Sequence, residues 1–278
     1  MLNQLISLAM RSRPLRMLLN ALHTREIAGA VLRRWPIRRT LPNSALVYRA
    51  TTLDNLVVAR EIFAKGEYDA LAQFGDIRSF IDLGSNCGYF TLYAASLGSP
   101  ATIRGLAVDA HPGMVEAARW HVEHNGLAHV HPVWGLVGVA AAVGEQARFF
   151  VNVDAAGSSQ FDRAPEGNVT ENPWHEIAAP VLSLSDEWQR RFGDLPCDVL
   201  KVDIEGSEDA FLHAEAPFLS RVGVLAIEMH KWIVDVNALE AFLDTHGFDR
   251  HAVLRSDDAI HVALYVNRAG RFARSART

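Results

Sequence analysis

The most informative segment of this chain reads Phe80-Ile81-Asp82-Leu83-Gly84-Ser85-Asn86-Cys87-Gly88-Tyr89-Phe90-Thr91. An apolar run ends at an acidic residue, two glycines follow four positions apart, and a helical pattern then begins. This order is typical of a strand that turns into a helix beneath a ligand, and the glycines let the ligand approach the backbone. The helix start adds free N–H groups and the positive end of the helix dipole. The segment therefore predicts a cofactor-binding turn.

Strand and helix patterns alternate through the chain that follows. Because strands separated by helices pair in parallel, this order predicts an α/β fold with a mostly parallel sheet and helices on both faces. Two final extended segments joined by Ser256-Asp257-Asp258 predict an antiparallel edge. Residues 154–178 are polar and lack periodicity, so we expect a long functional loop there. The expected strands are 80–83, 103–109, 129–136, 148–153 (paired with 137–141), 181–184, 198–203, 222–229, 249–254 and 260–266, and the expected helices are 89–97, 113–125, 185–192, one beginning at Ser207, and 236–246.

The N-terminal part of the chain differs in charge from the remainder. Residues 1–39 hold eight arginines and one glutamate, a balance of +7; because the whole chain carries −5, the remainder carries −12. We interpret residues 1–45 as a basic helical extension or cap and residues 46–278 as the main domain. The extension is expected to pack as a solvated helical segment. The alternatives are peripheral contact with an anionic membrane and contact with an acidic protein.

Composition narrows the class of protein. A chain of 278 residues with 49% hydrophobic content can bury the core of one large domain. Cys87 and Cys197 have no metal-ligand spacing, which favours a reducing, cytoplasmic location. No window approaches the roughly eighteen apolar residues that a membrane span needs. The acidic charge of the main domain argues against a nucleic-acid partner, because a polyanion would be repelled.

Three side chains around the glycine turn indicate which cofactor it binds. A dinucleotide-binding turn needs glycine where this chain has Asn86, so that the backbone can touch a pyrophosphate. Asp82 would repel a diphosphate but suits an ammonium group, and Asp109 at the end of the next strand is placed to bind both hydroxyls of a ribose. S-adenosylmethionine carries all of these groups and is the predicted cofactor. The residues expected to bind it are Asp82, Gly84, Ser85, Asn86, Gly88, Tyr89, Asp109, Ala110, Leu136 and Asp203.

A second group of polar side chains lies at the ends of two later strands. Because the carboxyl ends of parallel strands line the ligand crevice, Asp203 and Glu228 are expected beside the cofactor. Alternation along an extended chain puts Glu205 on the side of Asp203 and His230 on the side of Glu228. These four residues are therefore the candidate catalytic residues.

Two mechanisms are open for this group. In the first, His230 or one of the carboxylates accepts the proton of an acceptor hydroxyl. In the second, Asp203, Glu228 and His230 hold a Mg²⁺-like ion that polarises the hydroxyl. The metal-free mechanism is favoured, because Mg²⁺ prefers oxygen ligands and water over imidazole.

Two segments of the chain resemble motifs of the FkbM-type methyltransferases. The segment 80–91 resembles motif I of that family, and Leu200-Lys201-Val202-Asp203-Ile204-Glu205-Gly206-Ser207-Glu208 is similar to its second hallmark, K-[IV]-D-[IV]-E-G-x-E. Gly157-Ser158-Ser159 and Val181-Leu182-Ser183-Leu184-Ser185-Asp186 also resemble intervening segments. The resemblance covers about residues 47–266. It implies the Rossmann-like, seven-stranded sheet of class I methyltransferases and methylation of a hydroxyl oxygen on a sugar or a polyketide-like metabolite.

Two other functions remain possible at this stage. The first is an oxidoreductase linked to NAD or a nucleotide sugar on a similar sheet, against which Asn86 and Asp82 argue. The second is a non-catalytic module that binds a nucleoside, although the four candidate catalytic residues are all chemically competent. The expected partner is a small-molecule or glycan acceptor, and the sequence gives no indication of the oligomeric state.

Overall fold

A computed structural model describes residues 24–139, 141–151 and 175–273, with side chains described from residue 27 onward. The chain divides into two compact units, Met1–Gly66 and Glu67–Thr278. This division lies C-terminal to the boundary predicted between residues 45 and 46. Three predicted features lie outside the described residues. They are the part of the helical extension before residue 24, the segment Gly157-Ser158-Ser159 that resembles the family, and most of the expected loop 154–178.

The described part of the first unit contains two α-helices, a π-helical turn and a small hairpin. Its elements are α1 (Thr24–Arg34), β1 (Ile37–Thr40), β2 (Val47–Ala50), α2 (Leu53–Ala59) and a π-helical turn at Arg60–Ala64. Helix α1 ends before Pro36, which has no N–H to continue it, and β1 then pairs antiparallel with β2. Thr52 begins α2 with a capping box shared with Asn55.

The second unit is built on a seven-stranded sheet. The described elements are β3 (Ser79–Leu83), β4 (Arg104–Asp109), β5 (Val130–Trp134), β6 (Gln146–Val151), β7 (His175–Pro180), β8 (Cys197–Val202), β9 (Val222–His230), β10 (Phe248–Ser256), β11 (Ile260–Asn267), α3 (Tyr89–Ser96), α4 (Pro112–His124), α5 (Leu184–Phe192), α6 (Glu208–Ala214), α7 (Ala216–Leu219), α8 (Val236–Thr245) and a 3₁₀ helix at Asp69–Phe74. The strand order of the sheet is β10-β11-β9-β8-β3-β4-β5. Strands β10 and β11 pair antiparallel, as do β11 and β9, and the other neighbours pair in parallel. This confirms the predicted α/β fold with a mostly parallel sheet.

The central strands of this sheet form the core of the unit. Every residue of β3 and β8 is buried, as expected for parallel strands covered by helices on both faces. Trp188 of α5 is fully buried in the same core. Because β3 and β8 are adjacent and parallel, the cofactor turn after β3 and the acidic segment after β8 lie side by side at the carboxyl ends of the strands.

Two expectations about the middle of the chain are wrong. Strand β6 pairs antiparallel with β7 in a separate two-stranded sheet, and not with residues 137–141. Gly138 has φ of +69°, which turns the chain away from an extended path, while Leu136 forms a single parallel bridge with Val181. The extended segment predicted at 181–184 lies earlier, in β7, because Ser183 accepts a hydrogen bond from Asp186 N–H and begins α5.

Candidate active site

The glycine turn between β3 and α3 is shaped by close backbone contacts. Gly84 has φ of +66°, and a Cβ at that position would lie 1.7 Å from the Asp203 carbonyl oxygen. Asn86 is also left-handed, with φ of +49°, and its Oδ1 accepts the Cys87 N–H at 2.7 Å. Gly88 N–H donates to Ser85 O at 2.8 Å and leads into α3. The turn therefore requires glycine where it touches the end of β8.

Asp109 ties this turn to the end of β4. Its Oδ2 accepts the Asn86 N–H at 2.7 Å, and its Oδ1 accepts the His111 N–H at 2.7 Å. Each carboxylate oxygen has a second lone pair, so both can still accept a hydrogen bond from a ligand hydroxyl. Asp109 is only half-buried. This is the geometry that a ribose site at the end of the second parallel strand needs.

The neighbouring candidates Ala110 and Leu136 lie in a small apolar cluster. Phe149, Val151 and Ala179 of the β6–β7 hairpin complete it. Trp134, at the end of β5, donates its Nε1–H to Ala110 O at 2.9 Å and is 40% exposed. An exposed aromatic side chain therefore lies next to the predicted ribose site at Asp109, a feature that the sequence reasoning missed.

Asp82 was expected to interact with the ammonium group of the cofactor, but its side chain has no exposed surface. The side chain is fully buried, accepts a hydrogen bond from Thr91 Oγ1 at 2.7 Å, and lies 3.4 Å from Lys201 Nζ. A carboxylate without exposed surface cannot contact an ammonium group of a ligand directly. Its negative charge instead stabilises the buried lysine.

Lys201 joins the two sequence motifs. Its ammonium donates to the Leu83 and Gly84 carbonyl oxygens at 3.3 and 3.1 Å and pairs with Asp203 at 3.2 Å. Burial lowers the pKa of Lys201, but the negative charges of Asp203 and Asp82 outweigh this and raise it. The charged lysine therefore fixes the glycine turn against the acidic segment that follows β8.

The four candidate catalytic residues form one cluster, as their sequence positions predicted. His230 Nε2 lies 3.3 Å from Glu205 Oε2 and 3.7 Å from Glu228 Oε1. The side chains of Asp203, Glu228 and His230 each offer one atom that could bind a metal ion, and these three atoms lie within 4.8 Å of one another. The ends of β8 and β9 thus bring together groups that can hold or move a proton.

Glu208 contacts both His230 and the backbone of the turn that carries Glu205. Its Oε1 accepts backbone N–H groups of Ile204 and Gly206 at 3.2 and 3.0 Å and lies 2.9 Å from His230 Nδ1. The side chain is fully buried. Glu208 therefore organises the turn that carries Glu205, whose φ is +53°.

Comparison with known protein families identifies the group to which this architecture belongs. Residues 69–250 match the methyltransferase FkbM domain. The chain belongs to the FkbM methyltransferase family. It is therefore an S-adenosylmethionine-dependent methyltransferase, which replaces the oxidoreductase alternative. No curated protein matches the chain.

Several solved structures are similar to this FkbM methyltransferase. A human methyltransferase 10 domain containing protein shares 12% identity, with a TM-score of 0.45 and coverage of 87% of this chain and 94% of the other. TrmK of M. capricolum, bound to S-adenosyl-homocysteine, shares 12% identity, with a TM-score of 0.43 and coverage of 73% and 67%. A SAM dependent methyltransferase from Aquifex aeolicus shares 13% identity, with a TM-score of 0.42 and coverage of 75% and 92%.

The turn of this FkbM methyltransferase fits its methyl donor. Ser85 Oγ is buried and has no hydrogen-bond partner among the described residues, so a polar group at the turn is left for a ligand to satisfy. Burial raises the pKa of Asp109 to about 6, while the backbone N–H groups of His111 and Asn86 oppose the rise. At neutral pH the carboxylate is therefore charged and can bind the ribose hydroxyls of the donor.

His230 and Glu228 lie in the same cluster, but their pKa values are raised for different reasons. Burial lowers the pKa of His230, but hydrogen bonds and negative charge from Glu205 and Glu208 outweigh it and raise the pKa to about 12. Burial and the negative charge of Asp203 raise the pKa of Glu228 well above its usual range, against the effect of His230. His230 is therefore an imidazolium at neutral pH, with no lone pair to accept a proton.

Three further residues border the cluster and were missed by sequence reasoning. Tyr68 is buried, and its pKa is raised by burial and by the negative charges of Asp203 and Glu228. Arg255 on β10 lies 3.6 Å from Glu67. These residues come from a connecting segment and from a strand at the sheet edge, where no motif or periodicity marks them.

Among the described residues of this FkbM methyltransferase, no helix is long and apolar enough to cross a membrane.

Proposed function

We propose that this FkbM methyltransferase methylates a hydroxyl oxygen of a small molecule or a glycan, such as a sugar or a polyketide-like natural product. The observation that carries the proposal is the position of Glu228. Its side chain is 16% exposed, lies 3.7 Å from His230, and is near the end of β9, the strand that pairs with β8. A carboxylate that is accessible beside the donor suits an acceptor whose proton must be removed.

The chemistry required of the chain follows from the reaction. When bound, S-adenosylmethionine supplies an electrophilic methyl group on a sulfonium sulfur. The glycine turn and Asp109 orient the donor, and the enzyme must align the acceptor oxygen with the methyl group. Glu228 is the proposed general base, because a carboxylate with a raised pKa removes a hydroxyl proton more effectively near neutral pH.

His230 has a supporting role in this proposal. Its Nδ1–H is directed to Glu208, and its Nε2–H faces Glu205 and Glu228. The imidazolium holds the two partly exposed carboxylates, Glu205 and Glu228, in place and limits the repulsion between them. We therefore assign proton removal to Glu228 and the positioning of the carboxylates to His230.

The metal-free mechanism is proposed for the same reason. A cation bound by Asp203, Glu228 and His230 would need the lone pair of His230 Nε2, but that nitrogen lies 3.3 Å from Glu205, in surroundings that raise the pKa of His230 to about 12. Loss of that proton would leave Glu205 and Glu208 without their shared positive partner. The metal alternative is tested directly by chelation in the assay below.

Charge supports an acceptor that is not a nucleic acid. Residues 40–278 carry −12, which opposes the approach of a polyanion to the part of the chain that holds the site. The cluster beside the cofactor turn concentrates several of these carboxylates in one place. A neutral or cationic acceptor with hydroxyl groups fits these charges best.

The assay uses radiolabelled S-adenosylmethionine with sugars, glycosides, polyketide-type alcohols and tRNA as acceptors, each with and without EDTA. The proposal expects a methyl ether, located by mass spectrometry and NMR, and equal rates with EDTA. Glu228→Gln should abolish most of the transfer, while Glu116→Gln, an exposed change on α4, should not. Methylation of nitrogen, carbon or tRNA alone would contradict the proposed acceptor, and loss of activity in EDTA that one divalent ion restores would contradict the metal-free mechanism.

A further inference from the structure

Helix α1 has an apolar surface that faces solvent. Ile27, Val31 and Trp35 are 60%, 46% and 67% exposed. Residues four apart lie on the same face of a helix, which places Ile27 and Val31 together. Trp35 directly follows α1 and donates its N–H to Val31 O at 2.8 Å, so it continues the same spacing, and the three side chains form one stripe. Leu32 is buried in the same helix. Helix α1 therefore packs through one side and presents a second apolar surface to solvent.

The surroundings of this stripe are strongly basic. Arg33, Arg34, Arg38 and Arg39 are all exposed. The Arg34 guanidinium lies 5.7 Å from the centre of the Trp35 ring. The sequence has no acidic residue between Glu26 and Asp54. The charge of +7 on residues 1–39 contrasts with −12 on the remainder of the chain.

An anionic bilayer is complementary to both properties. Tryptophan prefers the boundary between headgroups and acyl chains, where isoleucine and valine can bury their side chains and arginine can contact lipid phosphates. A second copy of the same surface would bring two sets of arginines together, which is unfavourable. A bilayer accepts the apolar stripe and the positive charge at the same time.

We propose that the α1 surface, defined as Ile27, Val31 and Trp35 with Arg33 and Arg34, binds the surface of an anionic lipid membrane. The contact is peripheral: the helix lies in the plane of the interface with its stripe inserted and its arginines at the phosphates. The inference is independent of the acceptor and of the methyl-transfer chemistry. It concerns the first unit of the chain alone.

Vesicle flotation with the full-length protein tests the proposal. Vesicles of phosphatidylcholine alone are compared with vesicles that also contain phosphatidylglycerol, at low and high salt. The protein should float with the anionic vesicles and not with the neutral ones, and high salt should release it because the electrostatic part is screened. Equal binding to both kinds of vesicle, or no binding to anionic vesicles, would overturn the proposal.

Variants separate the two components of the surface. Ile27→Ser combined with Trp35→Ser should abolish flotation, and Arg33→Gln and Arg34→Gln should each weaken partitioning roughly fivefold. The matched control is Val143→Ser with Val253→Ser, because these are also exposed apolar side chains but lie in the second unit. Thermal melting checks that all variants fold. Flotation unaffected by the α1 changes, or a dimer by sedimentation that Ile27→Ser with Trp35→Ser dissociates, would contradict a membrane contact.

Discussion

Glu208 Oε1 lies 2.9 Å from His230 Nδ1 and accepts the backbone N–H groups of Ile204 and Gly206. One buried carboxylate therefore connects the turn after β8 with the last residue of β9. This connection fixes the imidazole ring so that its other nitrogen faces Glu205 and Glu228. The relative position of the carboxylates at the two strand ends depends on a residue that does not itself face the acceptor.

Replacing this carboxylate should loosen the cluster without removing any of its exposed groups. Glu208→Gln keeps the size of the side chain and one acceptor oxygen but removes the charge that faces His230. We expect a lower kcat with little change in affinity for S-adenosylhomocysteine, a lower pKa of His230, and a loss of about 1–3 kcal/mol in the free energy of unfolding. NMR titration of His230, steady-state kinetics and urea unfolding measure these effects. A kcat like that of Glu116→Gln with an unchanged His230 titration would contradict the role of Glu208.

The raised pKa of His230 should appear in the pH dependence of stability. The pKa is about 12 in the folded protein and about 6.5 when unfolded, so protonation stabilises the fold fully below about pH 6.5. This contribution declines as pH rises toward about 12, with a slope of at most about 1.4 kcal/mol per pH unit. Urea unfolding at pH 7 and pH 9 should therefore show a larger loss in the wild type than in His230→Gln. Equal losses in the two proteins would show that His230 is not protonated in the fold.

The proposed base predicts the acid limb of the activity profile. Glu228 must be ionised to accept a proton, so kcat/KM should rise with pH through an apparent pKa above that of an ordinary glutamate. Glu228→Gln should lower kcat by about 10²- to 10⁴-fold, the usual contribution of general base catalysis. Glu205→Gln removes one of the negative charges that raise the pKa of Glu228 and should move the acid limb to lower pH. An acid limb that survives in Glu228→Gln would assign proton removal to another group.

Gly84 and Gly126 have nearly equal φ angles, so replacing each of them by alanine tests the close contact between Gly84 and the Asp203 carbonyl oxygen. Gly84 and Gly126 have φ of +66° and +64°, but a Cβ at Gly84 would meet Asp203 O at 1.7 Å whereas nothing lies within 4 Å of one at Gly126. Gly126→Ala should cost about 1–2 kcal/mol, the strain of a left-handed alanine. Gly84→Ala should cost clearly more and should also weaken binding of S-adenosylhomocysteine, because the turn must move. Equal unfolding free energies and equal affinities for the two variants would contradict the close contact.

Local patterns in the sequence predicted the parts of the fold and site that depend on local chemistry. The turn at Gly84 and the positions of Asp109 and Asp203 follow from strand ends that the alternation of elements makes recognisable. The pairing of β6 with β7 was missed because the partner strand follows a long intervening segment and has little periodicity. Asp82 was misjudged because its partner Lys201 is distant in sequence, so its burial and ion pair are set by the pairing of β3 with β8.

The roles within the catalytic cluster depend on contacts that sequence position cannot give. His230 and Glu228 were placed correctly by alternation, but the charge state of His230 depends on Glu208, which lies on another element. Glu67 and Arg255 reach the rim of the cluster from opposite ends of the domain sequence. Long-range packing therefore determines the charge state of His230, while local pattern determines which groups are present.

Calorimetry with S-adenosylhomocysteine and NAD tests the central claim most directly. The proteins compared are the wild type, Asp109→Ala and the exposed control Glu116→Ala, each checked for folding by circular dichroism. We predict that the wild type and Glu116→Ala bind S-adenosylhomocysteine and not NAD, and that Asp109→Ala binds it about 10- to 100-fold more weakly, because hydrogen bonds to a charged carboxylate are lost. Tight binding of NAD, or S-adenosylhomocysteine affinity that is indifferent to Asp109→Ala, would contradict the assignment of this turn to the methyl donor.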